Sequence, residues 1–530
     1  MKKFSKLSKA AFLVAASFGI NKILAIVRQL IIARQFGLSS ELDVFNVANN
    51  VPDMIYALIS GGAIAVAIIP VMTEVMTHEN RESAWKVFSQ VANFAFLVTI
   101  ALSVLTAVFA WPLVQNPLGK APGLDLEQQA LVVRLMRLNL VATLIFSMAG
   151  LLIAGLQANQ HFLLPAIGPV LYNIGQIYGA VILAPETGYT FGSITLPAAG
   201  LGVDGLVYGV IIGAVLFFVI QIPGLFMYKF KWIPKMDLRH PDVKKIMVML
   251  GPRVLSMFFY QMTFFARDNL ASRLPVGSIS ALTYGWMILQ LPETLIGTAI
   301  GTALLPTISE LVAKKELEEF NLTINRVIRV LIALAIPSAV LLSFSLSPFL
   351  EFAFGFDSAE TELLLWVTRA FLVGLFSHCL LELVARIFFA KQNAVIPLIA
   401  SALNLAAYIV SGVLLIGPLQ SVGLGLADAI SFTVQSFFLL AVFRLGISPK
   451  MEGINKISQI LHSLAGQKST WITLLRTLLG SAVGAAVILL VNQTASGWMP
   501  NLILGLLAAG TGIIVTFPFI YKEFRILLRL

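Results

Sequence analysis

The sequence predicts an all-α polytopic membrane protein of about 14 transmembrane helices: two six-helix lobes related by pseudo-two-fold symmetry, plus a C-terminal helix pair. Composition, the placement of charge and an internal repeat lead to this prediction. Hydrophobic residues fill 58% of the 530 positions and charged residues only 12%, and the mean hydropathy is +0.90. A soluble domain cannot hide that much apolar surface, because much of its perimeter must still meet water. The chain also contains an inexact copy of itself. Ala158-Asn159-Gln160, followed by Pro165 and Leu171, returns 232 residues later as Ala390-Lys391-Gln392, Pro397 and Leu403. Gly61-Gly62-Ala63-Ile64 with Pro70 and Glu74 likewise matches Gly297-Thr298-Ala299-Ile300 with Pro306 and Glu310. Two similar halves of a polytopic protein commonly flank a transport pathway.

Apolar runs of about 20 residues mark the spans. The first seven lie near 10–37, 43–76, 85–113, 126–157, 161–184, 198–228 and 245–273. The second seven lie near 279–313, 322–347, 361–390, 394–416, 420–444, 470–492 and 499–520. The basic connection 229–245, with Pro234 and Pro241, and the polar stretch 446–469 are the clear breaks in composition. They predict an N-lobe at 1–230, a C-lobe at 231–446, and a linker with the terminal helix pair at 447–530. Six crossings return the chain to its starting side, so the repeats are parallel and related by an axis along the membrane normal. Pro52, Gly61, Gly62 and Pro70 interrupt the second span, Gly168 and Pro169 the fifth, and Pro292, Gly297, Gly301 and Pro306 the eighth. Proline kinks a helix and glycine lets it bend; tight packing by small residues is the plainer alternative. The prolines stand 18 residues apart in the second span and 14 in the eighth. That difference is close to one helical turn and predicts a one-turn insertion.

The net charge of +10 would suggest nucleic acid for a soluble chain, but its placement points away from that partner. Lys2, Lys3, Lys6 and Lys9 precede the first span, and Lys229, Lys231, Lys235, Arg239, Lys244 and Lys245 crowd the connection after the sixth. Lys314 and Lys315 follow the eighth, Arg444, Lys450, Lys456 and Lys468 surround the polar linker, and Lys522, Arg525 and Arg529 close the chain. The alternate connections are poor in basic residues and carry Asp125, Glu127, Glu186, Asp357 and Glu360. This parity predicts that both termini are cytoplasmic. Lys22 and Arg28 inside the first apolar stretch, without a small-residue cleavage site, favour a retained helix over a signal peptide. The lone Cys379 excludes an internal disulfide framework and reads as a small buried hydrophobe.

A charge near mid-bilayer costs about 3 kcal/mol or more, so it faces a partner or water. Four groups of such residues stand out. The first span has Asn21 and Arg28 seven apart on one face, with Lys22 and Arg34, and the second begins with Asp43 and Asp53. The seventh carries Arg253, Tyr260 and Arg267 at seven-residue spacing, with Asp268 alongside. Arg253 and Arg267 lie about 21 Å apart along a helix. They either snorkel towards opposite interfaces, with Arg267 able to pair with Asp268, or face a wet cavity that receives an anion. The tenth span holds His378, Glu382 and Arg386 at four-residue spacing. A structural ion pair with a hydrogen-bonded histidine and an ion- or proton-coupling group are both open there. No phosphate-binding glycine loop, metal-ligand set or activated nucleophile is present in the sequence, so neither an enzyme nor a cofactor is expected.

Residues 28–37 (RQLIIARQFG) with Asp43, 61–70, 155–173 (GLQANQHFLLPAIGPVLYN), 205–223 and 297–306 (GTAIGTALLP) carry a resemblance over nearly the full length. They resemble the MurJ/MviN family of lipid II flippases, within the multidrug/oligosaccharidyl-lipid/polysaccharide exporter superfamily. The resemblance implies fourteen helices around a V-shaped cavity in the bacterial inner membrane. It also implies transport of an undecaprenyl-diphosphate-linked peptidoglycan precursor to the outer leaflet by alternating access. Arg28 falls on a cavity arginine of the family, and Lys22 on another. The terminal pair 470–520, with Gly480, Gly484, Gly505 and Gly510 for close contacts, would line a groove for the lipid tail.

The sequence departs from the family at several charged positions. A family arginine is Tyr56 here and a glutamate is Gly61, while the eighth-span acidic–basic group reads Trp286, Met287 and Gln290. Arg267 and Asp268 are a candidate replacement. The expected function is therefore a MurJ-like flippase, with Lys22, Arg28 and Arg267 binding the diphosphate. Asp43, Asp53, Arg253, Asp268, His378, Glu382 and Arg386 are further candidates for cavity or coupling roles. With no nucleotide-hydrolysis module, an ion gradient or the membrane potential would drive transport; the coupling ion is undetermined. The bilayer and the lipid-linked glycan are the expected partners, and the chain is expected to be a monomer. Export of another lipid-linked saccharide, ion-coupled drug export and a non-transporting membrane scaffold are the rival readings.

Overall fold

The structure, a computed structural model, describes residues 6–59, 63–237, 239–390, 393–447, 468–495 and 500–528. Gly61, Gly62, Lys391 and Gln392 of the repeat motifs lie outside the described residues, as do Lys2, Lys3, Lys450, Lys456 and Arg529. The described residues are helical apart from one small hairpin and the connecting turns and loops, and the chain divides into two compact units, 1–277 and 278–530. Among the described residues, ten helices are long and apolar enough to cross a membrane, and a bent pair brings the number to eleven.

The first unit comprises α1 (Lys6–Phe36), α2 (Ser40–Ile59), α3 (Ala63–His78), α4 (Arg81–Val108), α5 (Ala110–Gln115), α6 (Leu126–Ala158), α7 (Leu163–Tyr178), α8 (Gly202–Val219), α9 (Ile222–Met227) and α10 (Pro241–Ala271). The helix α7 continues into a π turn, Gly179–Leu183. Two short antiparallel strands follow, β1 (Thr190–Phe191) and β2 (Ile194–Thr195). At the centre stands α6, packed by α2, α3, α4 and α8. Its small residues Ala142, Ala149, Gly150 and Ala154 are buried and let neighbours approach closely. A glycine stripe joins α7 to α8: a Cβ built on Gly175 would lie 2.4 Å from Gly213, and one on Gly179 would lie 2.6 Å from Gly209. Side chains cannot fit at that crossing.

The second unit comprises α11 (Ser278–Glu293), a π turn (Thr294–Thr298), α12 (Ala299–Lys314), α13 (Leu317–Phe354), α14 (Ser358–Val373), α15 (Leu375–Ala390), α16 (Val395–Ile447), α17 (Lys468–Ala495) and α18 (Asn501–Leu527). The long α16 breaks at Gln420, where φ is 48° and ψ −128°, into two helices. The terminal helices α17 and α18 pack on each other and on α13. Gly480, Gly484 and Gly505 sit against Phe519, Thr516 and Phe349 as the sequence suggested, whereas Gly510 faces open space.

The repeat is visible in local structure at its sequence offset. The helix α6 starts with a capping box in which Asp125 accepts from the Gln128 amide at 2.8 Å and Gln128 accepts from the Asp125 amide at 3.2 Å. Asp357 and Glu360 form the same box at the start of α14, at 2.8 and 3.3 Å. Each box satisfies otherwise unpaired amides at a helix start. Both copies of the motif at Ala158 and Ala390 end a helix, and Leu163 and Val395 begin the next. The predicted interruptions of the eighth span become the π turn after Glu293; the segment 60–62 of its counterpart is not among the described residues.

Candidate functional site

Among the described helices, α2, α3, α5 and α10 lie outside the segments long and apolar enough to cross a membrane. Of these, α2 and α10 carry Asp43, Asp53, Arg253, Arg267 and Asp268, and their polar side chains help to build two sites in the first unit.

One site joins α1, α2 and α7. The Arg28 guanidinium donates to Asn173 Oδ1 at 3.0 Å, and Asn173 Nδ2 donates to Asn21 Oδ1 at 2.8 Å and to the Pro169 carbonyl at 3.0 Å. The seven-residue spacing of Asn21 and Arg28 thus puts both on one neighbour. Asp53 lies within electrostatic reach of Arg28, with an exposed side chain. An aromatic wall adjoins the site: Tyr56 stands 5.5 Å from Phe146, and Phe146 stands 4.8 Å from Tyr172. Lys22 is exposed one residue from Asn21, and Arg34 is exposed nearer the end of α1. Arg28 is therefore a fork oriented by an amide, with part of its surface accessible, as anion recognition requires.

The other site lies where α10 ends. Asp268 is fully buried and is held by Lys120 Nζ at 2.8 Å and by Arg267 at 3.1 Å. Asn50 donates to the same carboxylate. Lys120 comes from the connection between α5 and α6, is 1% exposed, and lies 5.0 Å from the Phe265 ring centroid. Burial pulls its ammonium below the usual lysine range, and the Asp268 carboxylate opposes that pull. Asn269 and Arg273 anchor the same connection through the Pro117 carbonyl, at 3.1 and 3.0 Å. Close by in sequence, the buried Asp43 accepts from the Gly277 amide at 2.7 Å. Gly277 has φ +86°, and a Cβ there would lie 2.6 Å from the Leu38 carbonyl oxygen. The Arg253–Tyr260–Arg267 stripe therefore splits: Arg253 and Tyr260 are exposed, while Arg267 is buried against Asp268.

The second unit holds a third group on α11, α15 and the second half of α16. His378 Nε2 lies 2.9 Å from Asp428 Oδ2, and both side chains are buried. The imidazole stacks on Phe432 at 3.7 Å and meets the Trp286 ring at 5.3 Å. One turn along α15, Glu382 pairs with Arg386, which also donates to Thr302 Oγ1 at 3.2 Å. Glu293 accepts from Thr298 at 3.2 Å across the π turn. The helical pair at 382 and 386 forms as its spacing suggested, but the partner of His378 is Asp428 rather than that pair.

Sequence reasoning missed Lys120, Asn173, Glu293 and Asp428. Glu293 and Asp428 each interrupt an apolar span, which was the available signal. Lys120 sits in an ordinary loop and gave none. A further buried group, Glu523 with Arg329 at 2.8 Å, Arg476, and Thr473 at 2.9 Å, ties α17 and α18 to α13.

The family described as "Lipid II flippase MurJ" matches residues 32–508. This chain belongs to the MurJ family. A relative named "Lipid II flippase MurJ" from Burkholderia cenocepacia is 29% identical over 402 residues, covering 74% of this chain and 75% of the relative. A "Probable lipid II flippase MurJ" from Haemophilus influenzae is 28% identical over 438 residues, covering 79% and 83%. A solved structure, "Lipid II flippase MurJ, inward closed conformation", matches with a TM-score of 0.76 at 23% identity, over 98% of this chain and all of that one. An inward-facing multidrug-resistance MATE transporter of the MOP superfamily matches with a TM-score of 0.65 at 15% identity, over 82% of this chain and 98% of that one. These structural matches establish the fold. Tyr56 joins the aromatic wall, and Trp286 packs on His378, Phe371 and Phe432.

Proposed function

We propose that the chain is a lipid II flippase that carries the lipid-linked peptidoglycan precursor from the cytoplasmic to the outer leaflet of a bacterial inner membrane by alternating access. The family match over residues 32–508 carries this reading, and the Arg28 site supports it chemically. A diphosphate needs a charged fork, and Arg28, steadied by Asn173, supplies one with Lys22 nearby. The open carboxylate of Asp53 supports a wet environment into which a sugar–peptide head can pass. Arg267, by contrast, is occupied by Asp268, so we place the first diphosphate contact at Arg28 and Lys22. We assign Asp43, Lys120, Arg267 and Asp268 to fastening the ends of α2 and α10, and Arg253 to an interfacial position.

The same reading has fourteen crossings, both termini in the cytoplasm and a monomer acting as a transporter rather than a catalyst. The two repeats would span 1–230 and 231–446, with the terminal pair in 447–530. The break at Gln420 and the polar α2 and α10 support fourteen, since these features remove crossings from a count by apolar length. The replacement of family charges at Tyr56, Met287 and Gln290 favours one rival, export of a related lipid-linked saccharide. The chain should restore growth and outer-leaflet precursor in a strain depleted of its own flippase. Correct insertion without precursor at the outer leaflet would transfer the assignment to that other glycan.

A further inference from the structure

We infer that a pocket between the end of α13 and the start of α14 binds a primary ammonium group, carried by a membrane lipid headgroup or by a soluble amine. The pocket encloses about 570 Å³, and Glu351, Asp357, Thr361, Glu362, Trp366 and Arg369 are among the residues that line it. Three carboxylates against one guanidinium give the lining an excess of negative charge, which draws a cation. The Asn501 side-chain amide donates to Glu351 at 2.7 Å, and the Glu360 backbone amide donates to Asp357 at 2.8 Å. Glu362 makes no hydrogen bond or ion pair to protein among the described residues. Thr361 is 4% exposed, and its hydroxyl has no hydrogen-bond partner there either. A buried polar atom left in that state calls for a ligand or solvent to satisfy it.

The internal repeat marks the site as a change made in the second copy. At the offset of 232 residues, Asp125, Gln129, Ala130, Arg134 and Arg137 correspond to Asp357, Thr361, Glu362, Trp366 and Arg369. Two positions keep their roles. Both aspartates cap a helix, and Nε of each arginine donates to a carbonyl, Arg137 to Ala107 at 3.0 Å and Arg369 to Ser343 at 2.9 Å. The other three differ. In the first copy the Gln129 amide turns back onto the Leu124 and Ala121 carbonyls, at 2.9 and 3.4 Å, and Arg134 pairs with Asp204. In the second copy a shorter threonine leaves its hydroxyl unpartnered, a glutamate replaces the alanine and an indole replaces the guanidinium. The last two changes both move the site towards negative charge.

The chemistry of the lining selects the kind of cation. Among the described residues no three His, Cys, Asp or Glu side chains converge closely enough to hold a metal ion. Carboxylates set that far apart suit an organic cation. A primary ammonium donates three hydrogen bonds, which carboxylate and threonine oxygens can accept together. The half-exposed Trp366 adds a π surface for its charge. Arg369, 4.7 Å from the indole centroid, supplies a fork for an anionic group next to the ammonium, as in a phosphoethanolamine headgroup. The pocket also lies where one candidate span ends at Phe354 and another begins at Ser358. Headgroups and tryptophans gather at that level of a membrane.

The test uses the full chain in phosphatidylcholine nanodiscs, because a quaternary ammonium has no N–H to donate. Wild type minus Trp366→Phe isolates the Trp366 fluorescence. Putrescine, at an ionic strength held constant with sodium chloride, should change that signal saturably. Glu362→Gln should weaken putrescine binding by about tenfold or more, and Thr361→Val should weaken it severalfold. Glu362 is exposed, so its replacement leaves the fold intact. In the second arm, phosphatidylethanolamine replaces phosphatidylcholine and should raise the melting temperature of the wild type more than that of Glu362→Gln. A Glu362-dependent response to phosphatidylethanolamine alone assigns the ammonium to the lipid, and one to putrescine alone assigns it to a soluble amine. A response to neither, or responses unchanged in Glu362→Gln, overturns the site. Neither arm contains a lipid-linked glycan, so the result is separate from the flippase reading.

Discussion

Lys120 Nζ lies 2.8 Å from the Asp268 carboxylate, with both side chains buried. A loop lysine has been drawn onto the end of α10, and it shares that carboxylate with Arg267 and Asn50. Two cations around one anion explain why a charged pair survives burial there: removing either partner leaves a charge buried with too little compensation.

Replacing Lys120 with methionine should therefore destabilise the chain by about 3 kcal/mol. Thermal unfolding in detergent measures this. The double variant Lys120→Met/Asp268→Asn should lose less than the sum of the single losses, because the two groups interact directly.

Arg28 should be required for transport rather than for folding. Arg28→Ala is expected to lower precursor flux at least tenfold, on the order of one charge-assisted hydrogen bond. Arg28→Lys should also lose flux, since an ammonium keeps the charge and loses the fork. Asn173→Ala should give an intermediate loss by freeing the guanidinium. Flux per inserted molecule is the measurement.

The α7–α8 crossing predicts a contrast between glycines. Gly209→Leu should cost about 1–3 kcal/mol or more through backbone clash with Gly179. Gly510→Leu should be neutral, as nothing stands within 4 Å of its added Cβ. Comparative melting of the two variants checks this.

Glu523 is fully buried between Arg329 and Arg476. Glu523→Gln leaves two guanidiniums facing each other and should loosen α17 and α18 from α13. Faster protease cleavage in the connection before α17 would report that release, and a cleavage rate equal to wild type would exclude it.

Much of the fold was legible because apolar length and repeat offset are properties of a linear string. The capping boxes at Asp125 and Asp357 could be read in the same way. Glu382–Arg386 was legible too, since four-residue spacing fixes which helical side chains meet. Pairings across helices were not. Arg253 and Arg267 share a stripe, yet one is exposed and the other is enclosed by a loop whose path the stripe does not encode. The partner of His378 lies on another helix, so spacing along α15 pointed to Glu382 when the closer carboxylate was Asp428. Asn173 was inside a quoted motif but lacked the charge that drew attention to Arg28, the residue it orients.

The central claim is that Arg28 receives the diphosphate of a lipid-linked precursor. The most direct measurement is translocation of fluorescent lipid II by purified wild type and Arg28→Ala in proteoliposomes at equal inserted protein. The account predicts clear translocation by the wild type and a loss of at least tenfold in the variant. Equal rates for the two proteins, with both correctly inserted, would contradict it.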